Sequence, residues 1–207
     1  MSPAKTASQA ATSGPAEAEL GSAAQRERRK RILDATLALA SKGGYDAVQM
    51  RAVAERADVA LGTLYRYFPS KIHLLVSGLA REFDRAKEKL DRQPIPGDSA
   101  ADRLTYVLHR VTKNMQREPL LTEAMTRAFM FADPSAAAEV NSVAAIMDEI
   151  LTGAMHPGDG EPSADERAIA RVIGDVWLSN LVAWVTRRAS ASDVANQLEL
   201  AARLLLR

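Results

Sequence analysis

Met50 to Phe68 reads MRAVAERADVALGTLYRYF, and no other segment restricts the possible folds so much. Its spacing predicts two short helices, at about 49–57 and 60–67, and Pro69 keeps the second from continuing. Ala54 is the small residue such a pair needs where its helices cross. Val53, Ala57, Val59 and Leu64 are spaced to turn both helices onto one shared core. Asp58 falls at the tight turn between them, where a short polar side chain tolerates the left-handed backbone almost as glycine does. Each feature is weak alone. In register they specify a helix-turn-helix.

The rest of the chain is helical by the same test of periodicity, and strand signals are nearly absent. Ile32, Ala35, Thr36, Leu39 and Ala40 form one stripe behind the basic run Arg28 to Arg31, predicting a first helix over about 24–42 that ends at Gly43 and Gly44. Ser70 is a good N-cap for a fourth helix running to about Arg92 through Leu74, Leu75, Leu79 and Phe83. Pro94, Pro96 and Gly97 break the pattern. Further helices are expected at about 100–117, 119–131 and 135–155. After the loop from His156 to Pro162, two more follow at about 163–189 and 191–206. The expected fold is all-α with about nine helices. A disordered tail rich in Ala, Ser, Pro and Gly occupies 1–23, a three-helix DNA-binding domain 24–70, and a helical ligand-binding and dimerisation domain 71–207. The division falls at the long fourth helix and not at a flexible linker.

Charge separates the two parts more sharply than the formal total of +1 suggests. Gln25 to Lys71 carries ten Lys or Arg against five Asp or Glu, about +5, which leaves about −4 for the remainder. That asymmetry is expected of a nucleic-acid-facing part joined to an ordinary one. The absence of cysteine excludes disulfides, thiolate metal sites and thiol nucleophiles, and suits a reducing cytoplasm. His73, His109 and His156 lie on separate segments, no Glu-x-x-His pair exists, and no Gly-rich phosphate loop is present, so an enzyme has no evident chemistry here. We expect no catalytic residue and no metal ligand. The N-terminus lacks the pattern of a signal peptide and every apolar stretch reads as too short to span a bilayer, so the expectation is a soluble, cytoplasmic chain without a membrane partner.

The run Gly62-Thr63-Leu64-Tyr65-Arg66-Tyr67-Phe68-Pro69-Ser70-Lys71 resembles the signature of the TetR family of regulators. The resemblance implies a homodimer whose first three helices bind double-stranded operator DNA and whose remaining helices bind a small-molecule inducer. It places Thr63 and Tyr65 on the exposed face of the recognition helix, against bases or phosphates, and makes Tyr67 and Lys71 phosphate contacts. Gly62 then lets the backbone approach the duplex, while Leu64 and Phe68 belong to the core. Three departures from the family pattern stand out. Val48 and Gln49 occupy the usual threonine cap, Ala60 replaces a serine cap, and Leu61 brings an apolar group suited to a thymine methyl. The basic cluster Arg26, Arg28, Arg29, Lys30 and Arg31 reads either as a solvated helix start or as phosphate and minor-groove contacts. The candidate DNA-contacting set is Arg28, Arg29, Arg31, Gln49, Leu61, Gly62, Thr63, Tyr65, Tyr67 and Lys71.

Residues 100–155 are apolar, rich in Met and thin in titratable groups, as a pocket for a large lipid or an ordinary helical core requires. The candidate ligand-binding residues are Phe83, Met115, Leu120, Met125, Phe129, Met130, Trp177 and Leu181. The last two helices are apolar on more than one face. Trp184, Val185, Val194, Leu198, Ala201 and Leu205 are candidates for a dimer interface, the alternative being a monomer core. The blocks Glu19 to Ser22, Gln25 to Leu75, Arg117 to Ala128 and Val176 to Ser190 are similar to the sterol-catabolism repressors within the same family. That similarity implies repression of sterol-degradation genes, relieved by a coenzyme A thioester of a cholesterol metabolite, with no other cofactor. Arg117, Arg127, Arg187 and Arg188 are then candidate partners for its phosphates, Arg117 and Arg127 foremost. A regulator of the same fold responding to another lipid, acyl-CoA or drug, or acting as an activator, remains the alternative.

Overall fold

The computed structural model describes residues 15–156, 158 and 160–206, and every regular element among them is helical. In chain order these are α1 (Pro15–Ala47), α2 (Met50–Arg56), α3 (Leu61–Tyr67), α4 (Lys71–Leu90), α5 (Ala100–Gln116), α6 (Pro119–Met130), α7 (Ala137–Met155), α8 (Ala164–Val185) and α9 (Ala191–Leu205), with a short 3-10 turn at Pro134–Ala136 before α7. Two boundaries correct the sequence reading. Helix α1 starts at Pro15, so residues 15–23 are helix and not tail; residues 1–14 lie outside the described residues. Beyond the expected stop, α1 kinks and resumes. Gly44 takes φ +66° with ψ −160°, a combination only glycine adopts without strain, and the turn it makes carries the chain on through Tyr45 to Ala47.

Three helices start at reciprocal caps. Ser99, Ser163 and Ser190 each accept a hydrogen bond from the backbone N–H three residues on, and Asp102, Glu166 and Asp193 each accept the cap residue's own N–H. Ser70 behaves otherwise. It precedes α4 as expected, but its hydroxyl pairs with His73 Nδ1 at 2.9 Å and caps no backbone group. His73 is buried there, its Nε2 3.2 Å from the Ser135 carbonyl, and so ties the start of α4 to the turn before α7.

Helix α4 is the spine. His73 to Ala80 is buried without a break, because α1, α6 and α7 all pack on this stretch. Gly78 sets the crossing with α1: a Cβ there would stand 2.9 Å from Leu37 Cδ2. Three residues on, Arg81 reaches back to α1, 2.9 Å from Asp34 and 3.3 Å from the Lys30 carbonyl. On the far side α8 packs on α9 and α7, and α5 on α7 and α9. Trp177 of α8 anchors that layer, its indole N–H donating to Thr112 of α5 at 2.8 Å and its ring lying edge-on to Phe83 of α4.

The expectation that every apolar stretch is too short for a bilayer fails at α8, which is long and apolar enough by length and composition. Trp177 and Leu181 make it a core helix on one side. Even so, only 22% of its apolar stretch is buried inside the chain.

Candidate functional site

Helices α2 and α3 are too short to hold themselves, and burial does it for them. Val53, Ala54, Ala57, Leu64 and Phe68 join Ile32, Leu33 and Val48 in one core. The turn between the two helices places Asp58 at φ +53°, the left-handed conformation the sequence anticipates. Neither Gln49 nor Ala60 caps its helix with a side chain. On the outer face of α3, Tyr65 is 47% exposed and Gly62 and Arg66 are exposed, while Leu61, Thr63 and Tyr67 are half-buried. Thr63 is thus less open than the sequence reading has it. A Cβ at Gly62 would meet nothing within 4 Å, so nothing inside the chain requires glycine there.

Two members of the basic cluster are built into this head. Arg29 lies over the Phe68 ring, 5.4 Å from its centroid, and Arg31 stands 4.0 Å from Asp58 at the turn. The α1 cations therefore face the same surface as α3, and with Arg51, Arg56 and Arg66 exposed nearby the surface is positive. Arg28 is half-buried beside them and Gln49 is exposed before α2.

Lys71, expected at a phosphate, is engaged within the chain. Its ammonium donates to the Tyr45 carbonyl at 3.1 Å and lies 4.0 Å from the centroid of the Tyr45 ring. Burial pushes its pKa below the ordinary lysine range; Asp46 opposes that shift and Arg127 adds to it. The Arg127 guanidinium lies over the same ring at 4.3 Å, between Asp46 at 3.8 Å and Glu123 at 3.9 Å. The Tyr45 N–H points to Glu123 Oε2 at 3.4 Å, and the Ser41 hydroxyl donates to Glu118 Oε2 at 2.6 Å. Helix α6 thus grips the end of α1 through Glu118, Glu123 and Arg127. The sequence reading missed this junction. Its partners lie far apart in the chain, and no periodic pattern marks them.

The same α6 forms a wall of a cavity of about 440 Å³ between α4, α6, α7 and α8. Leu79 and Phe83 enter it from α4, Phe129 from α6, and Trp177 and Leu181 from α8; Met115 closes it from α5. The gap exists because Ala144, Ala145, Ala170 and Gly174 are too small to fill it. A second cavity of about 260 Å³ lies between α4, α5 and α6, and Met125 and Arg117 line it.

Other expected ligand residues are elsewhere. Leu120 is 47% exposed and packs near Gly44 at the α1 junction; Met130 is 51% exposed at the end of α6, where the helix turns its last apolar residues outward. Arg127 belongs to Tyr45 and lines neither cavity. Of the proposed dimer residues, Val194 and Leu198 are fully buried (0% exposed) within this chain, because that face of α9 packs on α8 and α5; for them the alternative of a monomer core is the correct one. Trp184, Val185 and Ala201 are half-buried, and Leu205 is exposed. Among the described residues no group of His, Cys, Asp or Glu is arranged to hold a metal.

Residues 32–77, which span the head and the start of α4, match the family described as bacterial regulatory proteins, tetR family, and 97–205 match the tetracyclin repressor-like C-terminal domain. The chain belongs to the TetR family. This TetR-family chain is 66% identical to the HTH-type transcriptional repressor KstR of Mycolicibacterium smegmatis, over 92% of each chain. It is 67% identical to KstR of Rhodococcus jostii over 95% of its own length and 90% of the relative's. Among solved structures, a TetR transcriptional regulator from Rhodococcus sp. RHA1 superimposes with TM-score 0.81 at 32% identity, covering 88% of this chain and 97% of that one. Thermus thermophilus FadR, a TetR-family repressor in complex with lauroyl-CoA, superimposes with TM-score 0.67 at 23% identity, covering 86% and 93%. The second likeness concerns the fold alone. The family reads DNA through its N-terminal helix-turn-helix, which in this chain is α2 and α3, and regulation of transcription, not catalysis, is the activity.

Proposed function

We propose that this TetR-family regulator is a homodimeric repressor of sterol-catabolism genes, released from its operator by a coenzyme A thioester of a sterol-derived acid. One observation carries the reading: α4 begins at the head with Lys71 and walls the cavity with Leu79 and Phe83. A ligand that moves α4 therefore moves the reading surface. Two-thirds identity to the KstR repressors supports repression, and the resemblance to sterol-catabolism repressors supports the sterol. A cavity of about 440 Å³ with apolar walls is within the usual range of roughly 300–1,000 Å³ for small-molecule sites. The lauroyl-CoA bound by the Thermus FadR is a precedent for the thioester in the same fold.

The dimer rests on what α8 and α9 leave uncovered. Val172, Leu200, Leu204 and Leu205 are large, apolar and exposed along the two helices, and α8 buries little of its apolar length within the chain. A second copy of the same pair covers both, forming a four-helix interface about a twofold axis. Two heads so joined meet successive major grooves about 34–36 Å apart on a pseudo-palindromic site. Tyr65 and Thr63 then read bases. Tyr67, the α1 cations and Lys71 meet phosphates, and Lys71 exchanges the Tyr45 carbonyl for a phosphate as it does so.

The reading is tested by footprinting genomic DNA with and without cholanoyl-CoA and lauroyl-CoA. Protection of palindromic sites upstream of sterol-degradation genes, relieved by cholanoyl-CoA at concentrations where lauroyl-CoA has no effect, is the expected result. Equal response to both thioesters overturns the sterol assignment, and protection that neither relieves overturns the inducer.

A further inference from the structure

We propose that His73 is a positioning residue for DNA reading. Through the Ser135 carbonyl it makes the corner between α6 and α7 hold the first turn of α4, so that an inducer acting on the cavity wall also acts on the reading head; the role rests on the inducer reading above.

His73 is buried in the first turn of α4, and its two ring nitrogens meet two different segments. Nε2 lies 3.2 Å from the carbonyl of Ser135, 62 residues further along the chain. A carbonyl oxygen can only accept, so Nε2 carries a proton. In the neutral ring Nδ1 then accepts from the Ser70 hydroxyl at 2.9 Å. That bond explains why Ser70 caps no backbone amide of α4: the ring holds its hydroxyl. Ser70 stands between two fixtures of the head. Phe68 before it is sealed in the core with Ile32 and Leu33, and Lys71 after it donates to the Tyr45 carbonyl. A pull on His73 is therefore a pull on the end of α3.

The corner on the other side of the ring is built to move as one piece. Asp133 accepts the Ser135 N–H at 2.8 Å, the Ala136 N–H returns to the Asp133 carbonyl at 3.0 Å, and Pro134 stiffens the backbone between them. Its large apolar neighbours, Met130 and Phe131, turn outward at 51% and 72% exposure, which leaves the hydrogen bond as the directional link from the corner to α4. The corner also joins two walls of the first cavity. Phe129 enters that cavity from α6 just before it, and Val143 and Met147 from α7 just after it. A ligand that displaces either wall displaces Ser135, and the bond to His73 carries the displacement to the first turn of α4. Without the bond the corner shifts while Ser70 and Phe68 stay. The spacing of Ser70 and His73 is visible in the sequence; Ser135 is brought to them only by the packing of α7 on α4.

The test compares operator affinity with and without saturating cholanoyl-CoA in the full chain, for the wild type, His73→Gln, His73→Asn and His73→Leu. A glutamine amide places a donor near the position of Nε2 and reaches Ser135; an asparagine amide is too short and serves only the Ser70 side; leucine makes neither bond. The expected result is that His73→Gln keeps the wild-type ratio of the two affinities within about twofold, while His73→Asn and His73→Leu shrink it by at least about fivefold, although all three melt at lower temperature. A ratio that follows the melting temperature across the series overturns the proposal, because His73 is then only a core residue. So does a ratio that no variant changes. Should His73→Leu fail to fold, the comparison of Gln with Asn decides alone. A wild type that cholanoyl-CoA does not release removes the inducer reading, and hydrogen exchange then judges His73 by itself. Coupling is reciprocal, so operator binding should slow exchange of the Ser135 and Ala136 amides in the wild type and His73→Gln but not in His73→Asn. Exchange in the wild type that is the same with and without operator overturns the role.

Discussion

Gly62 is a glycine that the chain itself does not need. Its φ is not left-handed and a Cβ there meets only open space, so Gly62→Ala should leave the melting temperature unchanged or raise it, since alanine favours a helix by up to about 1 kcal/mol over glycine. If the glycine serves close approach to the duplex, operator affinity should fall in the same variant, read by fluorescence anisotropy; undiminished affinity would show that the backbone stays clear of the DNA. Trp177 is the opposite case, a residue fixed by a hydrogen bond inside the chain. Trp177→Phe keeps most of the ring but leaves the buried Thr112 hydroxyl without its donor, at a cost of about 1–3 kcal/mol in thermal unfolding. Asp58 shows why some of this could be read in advance: the left-handed turn follows from local sterics of a short polar residue. Tyr45 shows why some could not. Its partners Lys71, Glu123 and Arg127 come from two other helices, and a lone tyrosine after two glycines signals none of them.

The helix starts are written in short motifs, and they make the protein sensitive to acid. Asp102 and Asp193 are held below the ordinary carboxylate range by the hydroxyls, then the amides, of Ser99 and Ser190; Glu166 is lowered first by the Ser163 amide, with its hydroxyl and His156 adding to the effect. A depressed carboxylate contributes its stability above its unfolded pKa and loses it as pH falls through its folded one. The melting temperature should therefore hold from neutral pH to about 5 and fall below it. Replacing Ser99, Ser163 and Ser190 together with alanine should lower the plateau and flatten the acid limb, and an acid limb of unchanged slope would mean that other carboxylates control it. Helix α6 joins the cavity wall at Phe129 to the clamp on α1 at Arg127. Arg127→Ala removes an exposed cation–π contact worth about 0.5–1 kcal/mol, so stability should change little. The ratio of operator affinities with and without inducer should shrink, because the wall then moves without carrying α1. An unaltered ratio would assign the coupling to α4 alone.

In the proposed dimer, reading DNA depends on assembly as much as on α3. Leu200 and Leu204 are exposed on α9, so Leu200→Asp/Leu204→Asp should leave each chain folded by circular dichroism while sedimentation shows monomers. Operator binding should then drop by a hundredfold or more, since two half-sites no longer share one rigid reader. A dimer that survives these charges would place the interface elsewhere. The helix order, the helix-turn-helix and the family signature were legible because each depends on contacts within a few residues: a cap, a turn, a stripe at helical spacing. Periodicity names a helix face but not what that face meets. So Met115 and Phe129 line a cavity while Leu120 and Met130 turn outward, and Val194 and Leu198 enter the core while Leu204 beside them stays bare. Cavities are the space left where small residues of different helices face one another, and a cation is available only when no acid from another helix reaches it. Both are distances between segments far apart in the chain, which only the packed molecule decides.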